Sequence, residues 1–223
     1  MNARQETTTG DVWEIGPGER EPVVWSFDPR DGVVQGPLDL RSFADASLLL
    51  QLRAGQTALL VQDGAPRRVW LEGAHLLPVG SQPAAIPPEA RLFMLDTRSV
   101  LACRWGEVSP LRLPGGTTAR GSCAFRIVAP SCFYEAFLQH AETAGEGFVR
   151  RLLGALVQAR LETRLVAAAD ADEALRLLAS LGPVDLAAGW EEFGVQCVAF
   201  APDGFARAPA PRPAEVTASA LGS

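Results

Sequence analysis

Cys132 and His140 are the pair of side chains with the most conventional chemistry in this sequence, a thiol and an imidazole eight positions apart. An imidazole within hydrogen-bond reach of a thiol can take its proton and leave a nucleophilic thiolate. Both residues lie on "SCFYEAFLQH", a stretch that reads as one short helix, toward its opposite ends. Core packing is the plainer role for them. The other histidine, His75, follows Gly73 at an expected strand end, where a structural hydrogen bond accounts for it. The four cysteines, Cys103, Cys123, Cys132 and Cys197, form no C-x-x-C pair and do not cluster with histidine. No H-x-H or H-E-x-x-H spacing is present, so no metal site is expected. The phosphate-loop pattern is also missing, and the sequence has no lysine to serve it. "RGSCAF" sits inside a strand pattern and is not the strained turn of a serine hydrolase. Asp170, Asp172 and Glu173 crowd a helix start, where carboxylates complement the helix dipole. The sequence therefore offers no catalytic set and no cofactor-binding set.

Charge and composition narrow the function classes further. Hydrophobic residues are 48 % and charged residues 21 %, the balance of a chain with a sizeable core. The net charge of −6 argues against a general nucleic-acid binder, which needs a basic footprint, and against simple adhesion to anionic lipid. No window approaches the roughly 18 consecutive apolar residues of a membrane span. The opening "MNARQETTTGDVWEIGPGER" has no apolar leader core, so a cytoplasmic location with free thiols is expected. Candidate contact residues remain. Arg150, Arg151, Arg160 and Arg164 fall on one long helix, where they could meet an acidic partner or anionic lipid, or form a solvated face with Glu146 and Glu162. Trp25 and Trp105 fall near strand ends, where an aromatic can serve as a surface anchor, whereas Trp70, Phe93 and Phe125 read as core.

The elements that must position these residues change character along the chain. Residues 1–20 read as a polar arm. "EPVVWSF" (21–27) and "SLLLQL" (47–52) read as short strands. "QTALLVQ" and "RRVWLE" flank Asp63-Gly64-Ala65-Pro66, where a four-residue loop is expected because Pro66 would lack a donor in a return strand. "RLFMLDTRSVLACRWG" (91–106) gives two apolar runs. In "TTARGSCAFRIV" (117–128), Ala119, Cys123, Phe125 and Ile127 share one face of a half-buried antiparallel strand. Helices follow. Ser131 is the expected N-cap of the first, residues 147–168 form a long amphipathic one, and Asp170–Leu181 is stopped by Gly182-Pro183. "VDLAAGWEEF" reads as a third after these, and "VQCVAFA" (195–201) returns as a closing strand. The Ala/Pro-rich residues 202–223 read as a disordered tail. Strands first, then helices, predict an α+β domain over residues 21–201. An antiparallel or mixed sheet from the N-terminal half would pack against helices from the C-terminal half.

The order of several stretches carries a resemblance. "VVWSF", "LRAGQTALLVQDG", "VWLEGAHLL", "LFMLDTRSVLACRWGEVSPLRL" and "ARGSCAFRIVAPSCFYEAFL" follow in the order seen in the SPFH (band 7, prohibitin-homology) domain. The closing "WEEFGVQCVAF" is similar to the strand that ends such domains. The chain resembles the bacterial virion-core-protein-like branch over about residues 22–200. The altered hairpin tip at Asp63-Pro66 and a shortened loop at Pro114-Gly116 depart from the pattern, and no coiled coil or zinc ribbon follows. The resemblance implies a non-enzymatic scaffold or adaptor that self-associates and gathers partner proteins, with peripheral contact to the inner face of the membrane. The family shares no catalytic residues, so none carry over. Two rival expectations stand beside it: a small-ligand-binding or hydrolytic protein using a cleft near Cys132 and His140, and a structural component of a larger phage-like or secretion assembly.

Overall fold

The structure, a computed structural model, describes residues 21–43, 46–83, 85–139 and 145–206. Among the described residues it is a mixed α+β fold with eleven strands in three sheets and three α-helices. The 1–20 arm and residues 207–223 of the expected tail lie outside the described residues.

The hairpin of β4 (Gln56–Gln62) and β5 (Ala65–Trp70) turns on Asp63 and Gly64 alone. Their φ values of 53° and 74° are both left-handed, as the tightest hairpin turn requires. The expected four-residue loop is thus replaced by two residues. Pro66 enters the return strand opposite Val61, and it is accommodated because β5 is a sheet edge with a register irregularity between Leu60 and Val61.

This hairpin belongs to a sheet ordered β2 (Val34–Asp39), β7 (Arg91–Asp96), β4, β5. Its two inner strands explain their own composition. Leu59, Val61, Phe93 and Leu95 face a larger core, and Ala58, Leu60, Leu92 and Met94 face a smaller one. With both faces covered, the strands read as continuous apolar runs without alternation. A second sheet closes the smaller core. Its β1 (Val23–Ser26) runs parallel to β3 (Ser47–Leu52), which pairs antiparallel with β6 (Gly73–Pro78). Leu48, Leu50 and Leu52 point inward, so Val24, Leu49 and Leu76, paired across the three strands, form an outward row.

The third sheet is ordered β8 (Val100–Trp105), β10 (Thr118–Ile127), β11 (Val195–Ala206), with short β9 (Leu111–Arg112) also on β10. The period of two in β10 is realised: Ala119, Cys123, Phe125 and Ile127 are all buried. The closing strand runs on to Ala206, five residues beyond its expected end. Its partners Arg120, Ala119 and Thr118 on the long β10 supply the extra ladder, so residues 202–206 are strand and not tail.

Helices cover this sheet. The first, α1 (Pro130–Phe133), continues as a π-helical turn over Tyr134–Leu138. Pro130 opens it and Ala129 is the cap, not Ser131, because a proline fixes the first helical φ and needs no donor there. The long α2 (Glu146–Leu165) buries Val149, Leu153, Val157, Leu161 and Leu165, one residue per turn. In α3 (Ala171–Ser180), Asp170 Oδ1 accepts from Glu173 N at 2.8 Å, and Glu173 Oε2 accepts from Ala169 N at 2.7 Å. The helix expected in "VDLAAGWEEF" does not form. Gly189 and Gly194 adopt φ of 77° and 68°, and turns with one 3-10 turn at Glu191–Phe193 carry the chain instead. The apolar residues that suggested a helix are still used: Leu186 and Trp190 are buried, and the Trp190 ring lies 4.7 Å from that of Phe125. Among the described residues, no helix is long and apolar enough to cross a membrane.

Candidate functional site

The third sheet ends at β8, whose outer edge would present unpaired backbone groups. Helix α2 lies along that edge. Arg150 Nη1 donates to the Ala102 carbonyl at 3.1 Å. One turn on, Gly154 meets the Arg104 carbonyl so closely that any Cβ would overlap it. Only glycine lets the helix approach this far, so the edge is closed to a further strand.

Where the outer side of α2 meets the solvent face of the sheet, a groove of 680 Å³ opens. Arg151, Ala155 and Gln158 form the helical wall, and Glu107 and Val108 of the β8–β9 turn form the other. Ala102 and Ser122 lie at its base. Gly106 makes the turn with φ of 72°, where a Cβ would stand 2.8 Å from the Ala119 carbonyl. Val108 is 91 % exposed at the rim. Arg150 and Arg151 supply positive charge and Glu107 and Glu162 negative, so the groove is of mixed sign. Beside it the sheet face is flat, because Ala102, Ala124 and Ala199 stand side by side across three strands.

The four arginines do not make one patch. Arg150 pairs with Glu146, which also accepts from Val33 N and so ties the helix start to the chain entering β2. Arg151 lines the groove, and Arg164 is exposed in the last turn of α2, where a cation suits the helix dipole. Arg160 has a structural task. It donates to the Ala188 and Gly189 carbonyls, and its guanidinium carbon lies 4.1 Å from the centre of the Trp190 ring.

The two tryptophans also divide. Trp25 is half-buried on β1 and leans on the smaller core. Trp105 is 1 % exposed and stacks on Phe200 with ring centres 5.7 Å apart, so it is core and no surface anchor. The period of two explains the correction: Leu101, Cys103 and Trp105 share the inner face of β8.

Cys132 is half-buried in α1, against Gly194. Its expected partner His140 lies outside the described residues. The His75 ring hydrogen-bonds through Nε2 to the Leu71 carbonyl at 2.8 Å, the structural bond expected of it. Among the described residues no group of three ligating side chains could hold a metal ion.

A different pair of thiols does meet. Cys103 on β8 and Cys123 on β10 are directly opposite, with Sγ atoms 3.2 Å apart. The hydrogen bond to Cys103 and then burial push the Cys123 thiol well above its usual range, and burial raises Cys197 as well. Both cysteines of the pair fall on inward positions of their strands. The pairing was hidden because β9 and a 3-10 turn at Pro114–Gly116 sit between the strands and obscure the register. No protein-family model matches this sequence, and no curated protein matches it.

Proposed function

We propose that this chain is a non-enzymatic scaffold or adaptor module of the SPFH kind its sequence resembles, acting by self-association and by gathering partner proteins. The observation that carries the reading is the groove between α2 and the β8–β9 turn. It is open and mixed in charge, with small residues along its base and an exposed Val108 on its rim. Such a surface accepts a segment of another polypeptide more readily than a small substrate, which needs a concave and largely enclosing pocket. The flat alanine row beside the groove and the outward Val24, Leu49 and Leu76 row extend the area open to a neighbour.

Peripheral contact with the inner face of a membrane belongs to the same proposal. With a net charge of −6 and a groove of mixed sign, that contact would run through apolar residues or a partner, not through charge alone. Light scattering coupled to size-exclusion chromatography, over a range of concentrations with and without liposomes, tests the reading. Mass above one chain that Ala155→Glu in the groove wall reduces is the expected result. A protein that stays monomeric and ignores liposomes overturns it.

A further inference from the structure

We propose that Cys103 and Cys123 are a redox-active pair that closes to an intramolecular disulfide when the protein meets a hydroperoxide. This is independent of what the groove binds. Two observations converge on it. The cysteines are direct cross-strand partners in an antiparallel ladder. Opposed residues there have Cα atoms about 4.5–5.5 Å apart, within the range of about 4.4–6.8 Å that a disulfide spans. Their Sγ atoms already face each other at 3.2 Å, so bonding needs an approach of about 1 Å and no rearrangement of the backbone. Both side chains point inward and are buried to the same degree, Cys103 at 5 % exposure and Cys123 at 3 %.

With Cys103 as the first thiol oxidised the steps balance, and they balance equally with the two exchanged. The Cys103 sulfur attacks one oxygen of the hydroperoxide, and the O–O bond breaks. Cys103 becomes a sulfenic acid, and the departing oxygen leaves as water with the Cys103 proton. The Cys123 sulfur then attacks the Cys103 sulfur. The S–S bond forms, the S–O bond breaks, and a second water leaves with the Cys123 proton. Two thiols are oxidised by two electrons, and one hydrogen peroxide is reduced to two waters. The bond would fasten the groove's β8–β9 wall to β10, because that turn lies between the two cysteines in sequence.

The sequence provides a clean readout. Trypsin cuts after Arg98, Arg104, Arg120 and Arg126, leaving Cys103 in Ser99–Arg104 and Cys123 in Gly121–Arg126. The full-length reduced protein is treated with hydrogen peroxide under native conditions, its free thiols are alkylated in denaturant, and the digest is analysed by mass spectrometry. The expected product is the two peptides joined, lighter by two hydrogens than their sum and separated by dithiothreitol, while Cys132 and Cys197 remain alkylated. In Cys123→Ser and in Cys103→Ser, a diketone probe should trap the sulfenic acid on the remaining member of the pair. The proposal is overturned if the wild-type peptides are recovered alkylated and unlinked at doses that oxidise other thiols of the protein. It is equally overturned if the link appears only after unfolding in urea, or if Cys123 joins Cys132 or Cys197 instead. The wild-type experiment decides the matter even if a cysteine variant fails to fold.

Discussion

Replacing Arg160 with alanine should destabilise the protein by about 2 kcal/mol. Its guanidinium satisfies two carbonyls, Ala188 and Gly189, of the irregular segment that brings Trp190 to the core. Hydrogen bonds from a charged donor contribute about 1.5–3 kcal/mol each when buried. The Arg160 side chain keeps 29 % of its exposure, and the released carbonyls of an outer turn can be rehydrated, so the lower end applies to the pair together. The contact with the Trp190 ring at 4.1 Å adds about 0.5–1 kcal/mol. The 4.0 Å approach to Glu192, itself 66 % exposed, adds little. With a urea slope of about 3 kcal/mol per molar for a chain of this size, the midpoint should fall by about 0.7 M. Arg160→Met keeps the apolar stem over the ring and should recover only a fraction of the loss. Arg164→Ala, on an exposed last turn, should stay within about 0.5 kcal/mol of the parent. Urea unfolding followed by circular dichroism measures all three. An Arg160→Ala midpoint equal to that of Arg164→Ala would refute the latch and return Arg160 to the list of surface cations.

Other perturbations probe different contacts. Gly154→Val should destabilise by about 1–3 kcal/mol, because the new side chain displaces α2 from the Arg104 carbonyl; thermal unfolding reads this directly. Trp105→Ala should destabilise by about 3–5 kcal/mol, whereas Trp25→Ala, half-buried on an edge strand, should cost clearly less. Gly64→Ala meets no atom within 4 Å, so its penalty of about 1–2 kcal/mol is the left-handed backbone alone, and Gly64→Asn should recover much of it. Burial raises the Asp96 carboxyl, but the Ser99 hydroxyl and the Arg98 and Ser99 amides outweigh it and hold the carboxyl below its usual range. A depressed carboxyl stabilises above its unfolded pKa near 4, and that stability is lost as pH falls through the lower folded value. Asp96→Asn should therefore flatten part of the acid limb of a stability-versus-pH curve below about pH 4, and an unchanged limb would contradict the assignment.

Much of the fold can be read from local pattern, and the failures have physical causes. The alternation in β10 and the four-residue recurrence in α2 each record one buried face, which a period detects. "SLLLQL" matches β3 at both ends because turn residues bound it. The turn at Asp63-Gly64 was masked by Pro66, whose missing donor matters only if the strand is internal, and edge position is a property of the whole sheet. "VDLAAGWEEF" has apolar residues at helical spacing, yet Gly189 and Gly194 take left-handed conformations and the side chains reach the core from turns. At the groove, the sequence marked Arg150 and Arg151 but could not separate them from Arg160, because the same helix faces different neighbours along its length. Long-range register joins Cys103 to Cys123, and no local pattern contains it.

The sheet of β2, β7, β4 and β5 has a consequence for how the protein comes apart. Its inner strands contribute alternate side chains to both cores. Neither core can lose its floor without exposing the other's, so the two should melt as one cooperative unit and not as separate subdomains. Backbone amides of β4 and β7 should exchange with solvent only through global opening, whereas those of β1, held by one parallel neighbour, should exchange through local fraying.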